Sequence, residues 1–201
     1  MADVGNIYSV TLPGDYFTVD GTTEGYHGFA YAIDDDDLVV FTDPVQDVSL
    51  QVSIPSGSLQ FSSPLFAYDI DGDGDDEFAC GNYNGLNYEI LVIDFNDLSV
   101  TSYISPTVLS YPVGAGDFNG DGEIDLLLKS VTRRDMSTLN LVTNSSIGEW
   151  HTPAAEPFDS QVVGKFWDGQ KDYIALEVED PATIRERNIT LVDGNGTLLT
   201  Q

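Results

Sequence analysis

An all-β repeat fold is what this sequence predicts, on three observations. The apolar runs are short, rich in β-branched and aromatic residues, and punctuated by Gly, Pro, Asn and Asp, as strands and turns require. Two near-identical loops, Asp69-Ile70-Asp71-Gly72-Asp73-Gly74-Asp75-Asp76-Glu77 and Asp117-Phe118-Asn119-Gly120-Asp121-Gly122-Glu123-Ile124-Asp125, stand 48 residues apart. The last acid of each acidic turn, Asp37, Glu77, Asp125 and Asp172, recurs at intervals of 40, 48 and 47 residues. Periods of that size, built from about four short strands, are those of β-propeller blades. The chain thus reads as one domain, 1–201, a β-propeller-like array of about four blades with repeats near 20–62, 63–106, 107–154 and 155–201.

In chain order, 6–12 alternates like a strand and stops at Pro13-Gly14. This segment is placed to complete the last blade or a neighbouring subunit. Strands are expected at 26–32 and 38–41 around the acids Asp34 to Asp37, and at 48–54 before Pro55. The same unit returns with 65–68 entering the first loop, 78–81 leaving it, and strands at 88–95 and 98–104. Next, 113–116 enters the second loop and 126–128 leaves it, followed by 139–143 and 148–151. The last repeat has 161–166 and 173–176 around Asp168-Gly169-Gln170-Lys171-Asp172, then 189–192 and 197–200 around Asp193-Gly194-Asn195-Gly196.

The loops carry the chemistry. Oxygen-bearing side chains recur at positions 1, 3, 5 and 9: Asp69, Asp71, Asp73 and Glu77, then Asp117, Asn119, Asp121 and Asp125. Glycines at positions 4 and 6 let the backbone turn sharply, and position 7, Asp75 or Glu123, is placed to lend its carbonyl. A hard cation taking six to eight oxygens at about 2.3–2.6 Å suits this arrangement, so Ca²⁺ is expected at two sites. Three or four carboxylates in one small loop also repel one another unless a cation neutralises them. A solvated acidic turn would explain one copy; two matched copies favour metal.

Gly116-Asp117-Phe118-Asn119-Gly120-Asp121-Gly122 followed by Asp125-Leu126-Leu127-Leu128 resembles the FG-GAP/VCBS repeat of integrin α-subunit-type β-propellers. The resemblance implies calcium in the hairpin between the first and second strands of a blade, with a structural role. It places the ligands on the residues just named in both loops, and covers the rest of the chain only through weaker flanking repeats. The outer repeats depart from the pattern: counted without gaps, 168–172 supplies positions 5, 6 and 9 but puts Gly164 and Phe166 at 1 and 3. Moving the count by one residue brings Lys165 there, as a cationic stand-in. The first repeat keeps only Asp34 to Asp37. Integrin-like propellers have seven blades, so a four-bladed ring, a partial propeller completed by other subunits, and a fragment are all compatible with this length. An EF-hand needs an acid at position 12 and flanking helices; position 12 is Cys80 or Leu128.

The 34 acids against 7 bases give a net charge of −27. Removing the ten loop acids leaves 24 against 7, so calcium accounts for only part of the acidity. That surface argues against nucleic-acid binding and suits salty or extracellular surroundings. No apolar stretch is long enough to span a membrane. No signal peptide is visible in residues 1–20, which fits a cytosolic chain or a mature or trimmed form. The lone Cys80 excludes an internal disulfide, and His27 and His151 lack partners at zinc spacing. Asn144, Asn188 and Asn195 open glycosylation sequons in or beside turns. Aromatics between Tyr68 and Tyr111, with Trp150 and Trp167, either fill spaces between blades or line a sugar groove. Arg133-Arg134 and Arg185-x-Arg187 are placed to meet acidic patches of a second copy. No catalytic residue is nominated and no enzyme is expected. The expected function is a non-enzymatic, calcium-binding, cell-surface or extracellular module for adhesion, protein interaction or assembly, with a protein, a glycan or its own copies as partner. The alternatives are a lectin, or a polysaccharide-active enzyme or its accessory domain.

Overall fold

The computed structural model describes residues 18–23, 26–33, 38–54, 58–59, 65–130, 135–151, 161–165, 169–179 and 187–200. Every regular element among them is a strand and none is a helix. The expected strand at 6–12 lies outside the described residues. The chain divides into two compact units, Met1–Ser105 and Pro106–Gln201, and each holds two antiparallel sheets whose strands follow one another in sequence order.

In the first unit, one sheet is β1 (Thr18–Thr23), β2 (Tyr26–Ile33), β3 (Leu38–Asp43) and β4 (Val48–Ser53). Strand β1 is not among those expected from the sequence. The Gly21 inside it looks like turn material, but a Cβ there would lie 2.6 Å from the Phe78 ring, so the glycine answers to packing. In the second sheet, β5 (Ser58–Leu59) and β6 (Phe66–Tyr68) pair with opposite ends of β7 (Glu77–Tyr83) as two pieces of one interrupted lane. Strands β8 (Tyr88–Asp94) and β9 (Ser99–Ile104) complete it. Ala30, Val39, Phe41, Val52, Phe78, Cys80, Leu91 and Phe95 form the core between the two sheets. Its centre is a triangle of Phe41, Phe78 and Phe95, with ring centroids 5.5–5.9 Å apart.

The second unit repeats the plan with β10 (Ser110–Gly116), β11 (Asp125–Ser130), β12 (Asp135–Asn140) and β13 (Ser145–His151), then β14 (Gln161–Gly164), β15 (Tyr173–Glu179), β16 (Arg187–Val192) and β17 (Leu198–Thr200). Its core joins Phe118, Leu127, Met136, Ile174, Leu176 and Val192. Strand β12 starts and stops earlier than the expected 139–143, because the Asn140 side chain turns the chain there.

Two expectations about the repeat are corrected by the register. The acids Asp34 to Asp37 lie outside the described residues, but their flanks are β2 and β3. They therefore join the second strand to the third, whereas the metal-type loops join the first to the second. The matching connection in the first sheet is only residues 24–25. In the fourth sheet Gly164 pairs with Tyr173, as Tyr68 pairs with Glu77 and Gly116 with Asp125. Tyr173, not Asp172, is the equivalent of Glu77 and Asp125. The connections 69–76, 117–124 and 165–172 are then all eight residues long.

A second repeat signal lies in the turns after the third strands. Each third strand ends in or is followed by Asp43, Asp94, Asn140 or Asp193, whose side-chain oxygen caps the next turn as an Asx turn. Oδ1 accepts from Val45 and Gln46 N–H, from Asn96 N–H, from Thr143 N–H, and from Asn195 and Thr197 N–H, all at 2.7–3.0 Å. Four residues after the first three sit Asp47, Leu98 and Asn144, each with φ near +50°. An Asx-capped turn thus follows the third strand of all four sheets, and the first three share one four-residue hairpin.

Candidate metal centre

Both loops fold by the same internal bonds. The first carboxylate accepts from the fourth N–H: Gly72 to Asp69 and Gly120 to Asp117, each 2.7 Å. The third side chain accepts from the fifth N–H: Asp73 to Asp71 at 3.0 Å and Asp121 to Asn119 at 2.8 Å. The fifth accepts from the seventh: Asp75 to Asp73 and Glu123 to Asp121, each 2.9 Å. The ninth accepts from the second: Ile70 to Glu77 at 2.7 Å and Phe118 to Asp125 at 3.0 Å. The glycines at positions 4 and 6 all have positive φ, between 81° and 101°, which side-chain-bearing residues rarely adopt. Four matched bonds and two left-handed glycines wrap each loop around its own oxygens.

In the first loop this brings one oxygen each of Asp69, Asp71 and Glu77 within 4.8 Å of one another. Asp73 stands apart from that triad and receives the Asn96 amide at 3.0 Å, which also reaches Asp75 at 3.3 Å. No other acidic triad this tight occurs among the described residues. In the second loop position 3 is the amide Asn119. Asp117 takes three N–H bonds, from Gly120, Asp121 and Gly122. The Asn140 amide holds Asp121 at 3.1 Å and Asp125 at 2.9 Å. Asn96 and Asn140 were not nominated from the sequence. Asn140 ends its third strand and Asn96 lies two residues past the end of β8, in the recurring Asx turn that was the available signal.

The two position-9 acids are buried, and both are pushed up to about 7. For Glu77 burial is the main cause, opposed by the Ile70 N–H and reinforced by the charges of Asp71 and Asp94. For Asp125 burial again leads, opposed by the Phe118 N–H and reinforced by Asp121 and Asp117. Asp121 is held below its ordinary value, chiefly by the Glu123 N–H. A carboxyl driven toward its protonated form by burial, and further by nearby carboxylates, is one that a cation returns to the anion. The donor set is all oxygen, mostly charged and small in span, and it fits a hard divalent ion.

The fourth connection has lost this chemistry. By the register, positions 1, 5 and 9 fall on Lys165, Gly169 and Tyr173, none of them acidic; Trp167 and Asp168 lie outside the described residues. Lys165 is exposed, and it is Lys171 that supplies a charge there. Its Nζ lies 3.9 Å from Asp193 and 5.4 Å above the Tyr173 ring.

Of the remaining candidates, Cys80 is buried with its thiol pushed up to about 12 by burial, as a structural thiol would be. Trp150 packs against the second core. His27 is exposed on β2 and His151 ends β13. Asn144 and Asn195 are exposed in turns, and Asn188 lies in β16. Arg133, Arg134 and Arg185 fall outside the described residues. Among the described residues no helix is long and apolar enough to cross a membrane. No protein-family model matches the chain, and no curated protein matches it.

Proposed function

We propose that the chain is a calcium-stabilised β-propeller-type module whose role is binding or structural rather than catalytic. The observation that carries this is the repetition of four loop bonds in 69–77 and 117–125, with one oxygen each of Asp69, Asp71 and Glu77 gathered within 4.8 Å in the first loop. The sheets themselves support the blade reading: each lane follows the last in sequence order, as in a propeller blade. Two Ca²⁺ ions are assigned, one per compact unit: Asp69, Asp71 and Glu77 would hold the first, with Asp73 turning in from the Asn96 amide, and Asp117, Asn119, Asp121 and Asp125 would hold the second. Extracellular or cell-surface placement belongs to the same proposal: the acidic surface and oxygen-only sites suit surroundings with millimolar calcium. The faces of the array then engage a protein or another copy of the chain.

Calcium titration by calorimetry, with melting measured in calcium and in chelator, tests the reading. Two equivalents bound and a melting temperature raised by calcium are expected. Full stability in chelator with no heat of binding would end it. A density map of the purified protein would decide blade number and closure.

A further inference from the structure

The fourth connection keeps its eight-residue length and its Asp172 although its ligand positions are gone. Asp172 reaches the preceding sheet. Its N–H donates to the Asp117 carbonyl at 2.7 Å, and its Oδ2 accepts the Asp117 N–H at 2.9 Å. The backbone of Asp117 is thus held on both sides by one residue of the neighbouring sheet. The space for this is provided by Gly116. A Cβ there would lie 2.9 Å from the Asp172 Cβ, 3.0 Å from its Oδ2 and 2.8 Å from Val163. Gly116 has no positive φ, so the glycine is needed for room and not for conformation.

The first unit contains the same clamp. Asp76 N–H donates to the Thr22 carbonyl at 2.8 Å, Asp76 Oδ2 accepts from Thr22 N–H at 2.8 Å, and a glycine, Gly21, again precedes the clamped residue. The clamped residue there is Thr22, which belongs to no cation loop. In the second unit it is Asp117, the position-1 ligand, whose carboxylate already gathers three loop N–H groups. A general sheet-to-sheet fastening has therefore been laid over a ligand.

We propose that Asp172 is a positioning residue for the cation site of loop 117–125, fixing the Asp117 backbone so that its carboxylate meets the ion. The proposal rests on the reading of that loop as a cation site. Supporting partners of metal ligands commonly carry a tenfold or larger share of affinity. By linkage, occupation of the loop tightens the Asp172 clamp to the same extent.

The test uses the full chain with the first loop silenced by Asp71→Ala. Calcium affinity is read by competition with terbium, and the water count on bound terbium by luminescence lifetimes in H₂O and D₂O. Asp172→Ala is expected to lower affinity about tenfold and to add about one water. Asp172→Asn keeps an oxygen for the Asp117 N–H and is expected to restore most of both. Gln161→Met removes the 3.1 Å bond from Gln161 Nε2 to the Val113 carbonyl, which ties the same two sheets at the end of β14 farther from the loop. It is expected to lower the melting temperature and leave affinity and water count alone. An unchanged site in Asp172→Ala, or an equal loss in Gln161→Met, overturns the proposal. Should Asp172→Ala fail to fold, Gly116→Ala displaces the clamp instead, and the same two outcomes decide. If the parent loop takes up no calcium before any further substitution, the cation reading itself falls, and that is seen separately.

Discussion

At the scale of single residues, the position-9 acids set the pH behaviour. Glu77 and Asp125 have ordinary values of 4.5 and 3.8 and are raised to about 7 in the fold. The folded chain then binds more protons than the unfolded chain between those values, so their contribution is fully present below about pH 4 and is lost as pH rises through 7. In chelator, urea midpoints are expected to fall from pH 5 to pH 7.5. Calcium holds both groups as anions and should flatten that fall. Glu77→Gln keeps an oxygen for the Ile70 N–H while removing the charge. In chelator at pH 7.5 it should melt higher than the parent, and in calcium it should lose the stabilisation due to the first loop. A lower melting point in chelator would contradict the assignment of burial as the cause. Both acids could be nominated from spacing alone; their burial could not, because it depends on which sheet lies across the loop.

At the scale of elements, the strands and the two acidic loops were legible, and the outermost connections were not. Short β-branched runs give strand existence, and Gly-rich Asp loops give their joints. What misled was charge: Asp34 to Asp37 look like a metal-type loop but join β2 to β3. Likewise Asp172 looks like a ligand acid, yet Tyr173 holds that register. Strand β1 was hidden because Gly21 reads as a turn until Phe78 is seen beside it. Other glycines answer to the same crowding. A Cβ on Gly148 would lie 2.5 Å from the Asn195 Cα and 2.7 Å from the Gly194 carbonyl, both backbone atoms that cannot step aside. Gly148→Ala is expected to cost about 1–3 kcal/mol or more. Denaturant unfolding would check this, and faster hydrogen exchange should be confined to β12, β13 and β16.

For the whole molecule, each compact unit holds one oxygen-rich loop, 69–77 in the first and 117–125 in the second. Asp121→Ala should therefore remove calcium-dependent exchange protection around β10 to β12 and spare it around β6 to β8. Protection lost equally in both units would argue for a single shared site. The net charge of −27 also opposes compaction. Raising salt from 0.05 to 0.5 M in chelator should raise the melting temperature, since screening shortens the reach of surface repulsion.

The Asx turn at the end of every third strand bears on how such a chain reaches its structure. All four caps involve bonds spanning only two to four residues, and in every sheet successive lanes are neighbours in sequence. Hairpin register can be set locally, before any distant contact forms. Folding of this kind has no single starting point: each sheet can begin from its own outer hairpin, and loop-closure entropy is small at each step. A chain emerging from the ribosome can complete one sheet before the next is synthesised. Removing one cap, as in Asp43→Ala, should slow the first sheet while leaving the folding rate of the second unit unchanged.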